Sequence, residues 1–247
     1  MNDSVGNDVF SVSPTVANLT GPGFLNQVVG FDQVTGRAPN GGTDIAFLLD
    51  SAGPDTFTAN AATGIATMVG AGFANTAVGF ETVSGQAVAP NGHDSAFLNA
   101  SVGNDLEVVS ATATAGGTDT AFLYDTPGDD LFTGTPASAS IVPNVPTPGP
   151  GQFREAVGFD TVAARAINGG NDRANLFDTA GNDTISIHPG IANFSTGGVI
   201  FLQAQGFKFV SAKSNAGGID SAFLFDSPQD DAFNATPFVA SLFGQGP

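Results

Sequence analysis

The sequence predicts an all-β protein: a β-solenoid, or parallel β-helix, with coils of roughly 25 residues that are mostly paired into repeats of roughly 50 residues. Three observations predict this fold. A short phrase recurs along the whole chain, the phrase has the composition of a strand, and Gly and Pro interrupt every candidate helix. Because 41% of the 247 residues are hydrophobic, the chain can bury a sizeable core. We therefore expect one solenoid domain over residues 1–247.

The recurring phrase is D-x-A-F-L-x-D, with single substitutions in two of its copies. Successive copies are 50, 25, 53 and 48 residues apart. A solenoid repeat contacts only its neighbours, so the array can lose a segment and close again; we therefore interpret the long unit as two coils of about 25 residues. We expect Asp44, Asp119 and Asp220 to lie along one common axis. The copies begin at Asp44, Asp94, Asp119, Asp172 and Asp220.

The phrase also predicts how side chains are distributed, because they alternate between the two faces of a strand. The Asp, Ala and Leu residues share one face and Phe occupies the other. Two arrangements stay open: Ala and Leu inside, or Phe inside as a stacked ladder. A second phrase, G-F-D-x-V, precedes each copy, and the Phe residues before and within it are expected to form core ladders. These are Phe24, Phe31, Phe73, Phe80, Phe153, Phe159, Phe201 and Phe207.

The charge of the chain excludes several partners. There are 23 acidic and 6 basic residues, for a net charge of −17. We expect no nucleic-acid or anionic-membrane partner, because binding phosphate requires Lys and Arg. The chain has no Cys, so it forms no disulfide and no thiolate metal site. It also has no run of about 18 apolar residues, so no insertion into a membrane is predicted.

Pairs of Asp residues flank the four-residue turn that follows the phrase. One interpretation is a calcium site, because Ca²⁺ takes several carboxylate and carbonyl oxygens from a flexible loop. The other is turn capping, in which the carboxylates accept backbone N–H bonds. Copies about 10 Å apart would repel weakly, which lessens the need for a metal. Asp3 and Asp8 match the pattern, and Ala100 and Asp105 form a broken copy. The candidate calcium ligands are Asp50, Asp55, Asp125, Asp130, Asp178, Asp183, Asp226 and Asp231.

No catalytic residue or organic cofactor is predicted, because the chain has no G-x-S-x-G, H-E-x-x-H or P-loop pattern. We interpret His93 as a tolerant turn residue and His188 as a surface loop residue. Parallel β-helices often host polysaccharide lyases and epimerases. A calcium-dependent polysaccharide-binding or polysaccharide-processing β-helix is therefore the alternative function, although a fold alone does not confer one.

Two sequence patterns resemble known repeats. The phrase D-x-A-F-L-x-D-S-x-G-x-D-x-F, followed by G-F-x-x-x-V-x-G-F-D-x-V, resembles repeats of very large secreted or surface proteins of bacteria, from Asp3 to about Phe243. Those repeats are regarded as β-solenoid arrays, which implies an extracellular or cell-surface location. The segments GNDTISI and GNDVFSV are loosely similar to RTX calcium-binding repeats. The nine-residue RTX period is missing, so the RTX mode of binding calcium is not transferred.

These observations favour a structural extracellular or cell-surface repeat protein that assembles end to end into a filament or matrix and is stabilised by calcium. The expected partner is the protein itself, as a head-to-tail homopolymer, or neighbouring repeats of a longer chain. The chain starts and stops inside a repeat, and an uncapped solenoid exposes strand edges. A polysaccharide is the other candidate partner. Residues 135–153 carry five Pro and are predicted to form a protruding loop.

Overall fold

The predicted fold class is confirmed by the computed structural model, which describes residues 1–89, 92–99, 108–114, 116–143, 153–236 and 239–244. The described chain is all-β and forms a β-solenoid of about five turns. Among these residues no helix is long and apolar enough to cross a bilayer. The strands are β1 (Val9–Val12), β2 (Val16–Gly21), β3 (Phe24–Val29), β4 (Gln33–Arg37), β5 (Ile45–Leu49), β6 (Thr56–Asn60), β7 (Ile65–Gly70), β8 (Phe73–Val78), β9 (Thr82–Ala87), β10 (Ser95–Asn99), β11 (Val108–Ala113), β12 (Thr120–Tyr124), β13 (Asp130–Gly134), β14 (Ser138–Pro143), β15 (Phe153–Val157), β16 (Thr161–Arg165), β17 (Arg173–Phe177), β18 (Asp183–His188), β19 (Ile191–Thr196), β20 (Val199–Gln205), β21 (Phe209–Lys213), β22 (Ser221–Leu224), β23 (Asp231–Ala235) and β24 (Ala240–Gly244).

Two eleven-stranded sheets form the two faces of the solenoid. Sheet I has the order β21-β17-β13-β14-β15-β11-β9-β5-β1-β2-β3. Sheet II has the order β22-β18-β19-β20-β16-β12-β10-β6-β7-β8-β4. Strands β23 and β24 pair only with each other among the described residues. The chain therefore crosses repeatedly between two stacked sheets, as expected for a solenoid.

Antiparallel meanders are the feature of the fold that the sequence did not predict. Each long repeat places three consecutive strands side by side in one sheet, whereas the 25-residue unit has only β10 in sheet II and β11 in sheet I. Two-residue turns make this possible: Gly23 and Gly72, both at φ +83°, lie between the second and third strands of their meanders, a conformation that glycine adopts without strain. The meanders are β1-β2-β3, β6-β7-β8, β13-β14-β15 and β18-β19-β20.

The core lies between the sheets, and Ala and Leu of the recurring phrase face it. Ala46 and Leu48 are fully buried, whereas Phe47 between them is only half-buried. Phe residues in the first strands of the meanders are among those that face the core. The ring of Phe57, for example, packs so closely on Gly85 of the opposite sheet that a Cβ there would overlap it. Large rings on one sheet are thus accommodated by glycines on the other.

The expected Phe ladder is only partly correct. Phe73, Phe80, Phe159 and Phe207 are buried, and Phe24 and Phe201 pack against the core while partly exposed. The prediction is wrong for two of the residues: Phe31 is 60% exposed and Phe153 is 36% exposed. Phe31 precedes β4, beyond which sheet II has no further strand among the described residues. In β15 the stretch from Phe to the next Gly is one residue shorter than in β8, and a one-residue shift turns a side chain to the other face.

The segment predicted as a protruding loop is partly strand. Residues Ser138–Pro143 form β14, the middle strand of a meander, where they pair with both β13 and β15. Pro143 pairs with Asp130 of β13 but has no partner on β15, so its missing N–H is tolerated as on an edge strand. Residues 144–152 of the predicted loop lie outside the described residues, as do Ala100 and Asp105 of the broken Asp pair.

Candidate metal centres

Acidic residues at the starts of neighbouring parallel strands are joined by hydrogen bonds into ladders. In sheet I the backbone N–H of Asp8 donates to Oδ1 of Asp44 at 2.7 Å, and the N–H of Asp44 donates to Oε2 of Glu81 at 2.7 Å. In each step a carboxylate accepts the first free N–H of the adjacent strand, which is a strong, charge-assisted bond. The ladder residues therefore fix where strands begin.

The ladders run in both sheets, so the expected single axis is wrong. Asp44 belongs to the ladder of sheet I, whereas Asp119 and Asp220 precede β12 and β22 of sheet II. A long repeat crosses between the sheets three times and the 25-residue unit crosses twice. The recurring phrase therefore changes sheet after each long repeat. The further bonds are Asp55 to Asp94, Asp94 to Asp119, Asp119 to Asp160, Asp130 to Asp172 and Asp183 to Asp220.

The second Asp of each predicted pair caps its own turn. Oδ2 of Asp55 accepts the backbone N–H of Ser51 at 2.7 Å and its hydroxyl at 2.9 Å. Oδ2 of Asp130 does the same for Thr126. The same bonds recur in the turns that end at Asp8, Asp183 and Asp231. The turn-capping interpretation is therefore confirmed for this position.

The first Asp of each pair caps a different segment. Asp50 accepts the backbone N–H groups of Val88 and Ala89, which follow β9, at 3.0–3.1 Å. Asp125 and Asp178 bind the equivalent segments at Asn168 and Ala216. These aspartates thus tie consecutive turns of the solenoid together.

The structure brings two of the predicted pairs into groups of three carboxylates, because a ladder residue joins each of them. Asp50 and Asp55 are joined by Asp94, and Asp125 and Asp130 are joined by Asp172. Within each group, ligand atoms of the three residues lie within 4.8 Å of one another. In the sequence, Asp94 and Asp172 were recognised only as the first Asp of the recurring phrase, and not as candidate ligands. The three groups among the described residues are Asp3–Asp8–Asp44, Asp50–Asp55–Asp94 and Asp125–Asp130–Asp172.

The other two predicted pairs are not part of such a group among the described residues. Asp178 and Asp183 are buried, but Asp220, which bonds to the N–H of Asp183, is held by the Ser214 hydroxyl and has a lowered pKa. Asp226 is exposed and Asp231 only half-buried; Asp231 begins β23, which pairs with β24 and not with either large sheet among the described residues.

Burial makes the group Asp50–Asp55–Asp94 costly to keep ionised. The pKa of Asp94 rises to about 6, first because burial removes water from the carboxylate and then because Asp119, Asp50 and Asp55 are nearby. Burial and the charge of Asp55 also raise the pKa of Asp50. The charged groups that act on Asp94 are thus all carboxylates, and a proton or a cation would relieve their repulsion.

A small cavity lies at the same group. It has a volume of about 10 Å³, and its lining includes all three carboxylates together with the core side chains Phe57 and Met68. Oδ1 of Asp55 is buried and has no hydrogen-bond partner. A buried carboxylate oxygen without a donor is costly, and a cavity of this size admits one water-sized particle.

The group Asp125–Asp130–Asp172 differs because a positive charge lies beside it. Arg154 on β15 is fully buried. Burial lowers the pKa of its guanidinium to about 10, while Asp130 and Asp125 oppose that change. In return, Arg154 opposes the rise that burial causes in the pKa of Asp130. A guanidinium stays charged at neutral pH even after this shift, so this group has an internal counter-charge.

The two histidines singled out in the sequence are not members of these groups. His93 directly precedes Asp94 in an exposed turn, where its Nδ1 accepts the backbone N–H of Thr118 at 3.1 Å. His188 is the last residue of β18 and not a loop residue as expected, and it stacks on Phe225 with ring centroids 3.9 Å apart.

Fold and site together define a β-solenoid with groups of buried carboxylates at its corners. A search of protein-family models, of curated proteins and of solved structures finds no match to this chain in any of the three.

Proposed function

We propose that this protein is a structural solenoid module that assembles end to end with further copies of itself into a filament or matrix outside the cell, with calcium bound at its carboxylate groups. The observation that carries the proposal is the open sheet edges at the two ends. Strand β3 is open at one end and strands β21 and β22 at the other, and no described strand pairs with their outer sides. The fourth edge strand, β4, carries on its outer side a short parallel bridge between Asn2 and Arg37. Unpaired edges are templates for pairing with another chain.

The direction of the edge strands favours head-to-tail assembly. Counting the parallel and antiparallel steps across sheet I, β3 runs in the same direction as β21. The same count across sheet II gives β4 and β22 a common direction. A second copy stacked in the same orientation would therefore continue sheet I with parallel pairs, the pairing that already joins successive repeats. In sheet II the incoming strand would pair with β4 in place of the short bridge to Asn2. This contact is heterologous, so it repeats without closing.

Apolar side chains at both ends support the same proposal. Leu25, Val29 and Phe31 are exposed at the β3–β4 end. At the other end an open apolar groove of about 350 Å³ is lined by residues that include Phe223 and Phe233. Exposed apolar patches of this kind favour association.

Calcium belongs to the proposal because the groups combine three carboxylates, and in the group Asp50–Asp55–Asp94 the charged groups that act on Asp94 are all carboxylates, which suits a hard cation. The extracellular or cell-surface location rests on the resemblance of the repeats to secreted and surface arrays. The polysaccharide alternative is tested separately, by binding and turnover on a panel of acidic polysaccharides.

Light scattering and electron microscopy of the purified protein test the assembly. We expect rods whose length grows with protein concentration. The double variant Leu25→Lys and Val29→Lys should prevent growth, because lysines on an edge strand oppose pairing. Val69→Lys, at an exposed apolar position of β7 inside sheet II, is the matched control and should still form rods. A wild-type protein that stays monomeric at all concentrations would contradict the proposal.

A further inference from the structure

Two of the three carboxylate groups, Asp50–Asp55–Asp94 and Asp125–Asp130–Asp172, are built alike but differ in one register position of the adjoining meander. In the meander β6-β7-β8, Phe57 pairs with Met68 and Met68 pairs with Asn75. In β13-β14-β15 the same positions hold Phe132, Ile141 and Arg154. Asn75 and Arg154 are therefore equivalent residues on the third strand of their meanders. Both are buried, but only Arg154 carries a charge.

The group Asp50–Asp55–Asp94, whose meander has Asn75 where the other has Arg154, has the features expected of an ion site. Asp50, Asp55 and Asp94 are at most 7% exposed. They line the cavity of about 10 Å³. Oδ1 of Asp55 is buried without a hydrogen-bond partner, as is Oδ1 of Asp130 in the other group, so the cavity is what distinguishes this group. Two oxygens bound to one Ca²⁺ ion at 2.3–2.6 Å lie at most about 5 Å apart. The ligand atoms of this group lie within 4.8 Å of one another, as do those of the other two groups, and this separation allows one central ion.

We propose that Asp50, Asp55 and Asp94 bind one divalent cation of the calcium class, and that the guanidinium of Arg154 takes the place of this cation beside Asp125, Asp130 and Asp172. This inference rests on the calcium part of the proposed function and names which group takes the ion and which does not. The two equivalent groups of buried carboxylates are thus neutralised differently. An ion neutralises the group whose meander has Asn75 on its third strand, and a side chain neutralises the group whose meander has Arg154 there. A guanidinium supplies its charge without depending on the metal concentration.

The chemistry of the two solutions differs in a measurable way. An ion held by three buried carboxylates requires all three to be deprotonated, and its binding is linked to folding. Arg154 is covalently part of the chain, so its group contributes the same stability with and without calcium. Exchanging the residue at the equivalent position should therefore exchange the metal dependence of the two groups.

The test counts calcium ions bound per full-length chain, by equilibrium dialysis followed by elemental analysis. Asp94→Asn should lower the count by one, since Asn keeps an oxygen that can accept the N–H of Asp55 but removes the charge. Asn75→Arg should also lower the count by one, because it places a guanidinium at the register position of Arg154. Thr76→Arg, which adds the same charge on the outer face of β8, is the control and should leave the count unchanged.

The converse exchange tests the role of Arg154. Arg154→Asn should raise the count by one and make the thermal unfolding temperature depend more strongly on calcium. Arg165→Asn removes a positive charge from a partly exposed position and should change neither. If Arg154→Asn folds only when calcium is added, that result also supports the proposal.

Two results would overturn it. Wild-type protein that binds no calcium removes the ion site, and an ion count unaffected by both Asp94→Asn and Asn75→Arg shows that the ion binds elsewhere. All counts are made on the monomeric edge variant Leu25→Lys and Val29→Lys as well as on the wild type. A failure of the calcium site is thereby distinguished from a failure of end-to-end assembly, which does not alter the count.

Discussion

The backbone N–H of Asp55 donates a hydrogen bond to Oδ1 of Asp94 at 2.9 Å, immediately before the point where β6 and β10 begin to pair. One carboxylate therefore has two roles. It fixes the start of a strand through this bond, and it contributes negative charge to the group that we propose to bind an ion. The two roles respond differently to substitution, so they can be measured separately.

Asp94→Ala and Asp94→Asn separate the hydrogen bond from the charge. Asn can still accept the N–H of Asp55, whereas Ala leaves it buried without an acceptor, which costs about 1–3 kcal/mol. In calcium-free protein we expect the Asn variant to exceed the Ala variant in free energy of unfolding by about this amount, measured by urea denaturation. The exposed Asp226→Asn substitution is the control and should have little effect. Equal stabilities of the Ala and Asn variants would contradict the structural role of the bond.

Gly70 is predicted to be required for the carboxylate of Asp55 to reach its place. It ends β7 directly across from Asp55, and a Cβ at Gly70 would overlap Asp55 Oδ1 and Cγ. Gly70→Ala should displace this carboxylate and lower the free energy of unfolding by about 1–3 kcal/mol, the usual cost of overpacking. Gly53→Ala, in the turn between Asp50 and Asp55, meets only one distant atom and should change stability little. Similar unfolding midpoints for the two variants would show that the carboxylate is free to move.

The assignment of inner and outer faces gives a prediction in sheet II. Leu123 is fully buried, whereas Phe122 is half-buried and stacks on Phe97 with centroids 5.0 Å apart. Leu123→Ala should cost about 2–5 kcal/mol because it creates a cavity in the core. Phe122→Ala should cost less, because a half-buried ring gives up less burial; its stacking on Phe97 accounts for about 0.5–1.5 kcal/mol of the loss. If Phe122→Ala lowered the free energy of unfolding more than Leu123→Ala, the inner and outer faces would be the reverse of those described, and the fold would be contradicted.

The repeat and the turns could be predicted from the sequence because they depend on local patterns. Asp55 follows its turn at a fixed spacing, and alternation within the strand correctly separated Phe47 from Ala46 and Leu48, although it left open which set lies inside. The choice between them depends on the space between the sheets. Phe57 needs a glycine opposite, at Gly85, and that match spans two strands distant in sequence.

The meanders and the complete carboxylate groups could not be predicted in the same way. Antiparallel pairing of β6 with β7 depends on which strand edges are free when the chain turns, and alternation of side chains is the same in both kinds of pairing. Asp94 joins Asp50 and Asp55 only through its place in the ladder, 39 residues from Asp55. Arg154 was one of six scattered basic residues until the register placed it beside Asp130.

The stability of calcium-free protein is predicted to depend on pH through Asp94. Its pKa rises to about 6 in the folded protein from a usual value near 4, so folding favours the protonated carboxyl. The corresponding stability is fully present below about pH 4 and is lost as the pH rises through about 6. Burial raises the pKa of Asp44, Asp50, Asp130 and Asp172 in the same direction.

We therefore expect the urea midpoint of calcium-free protein to be higher at about pH 4.5 than at about pH 7.5. Asp94→Asn does not titrate, so it should reduce the difference between the two midpoints. Saturating calcium should reverse the order, because the ion binds the deprotonated carboxylates and stabilises the folded state at the higher pH. A calcium-free midpoint that is higher at pH 7.5, and that Asp94→Asn leaves unchanged, would show that these carboxylates are paired with charges at neutral pH and do not need an ion.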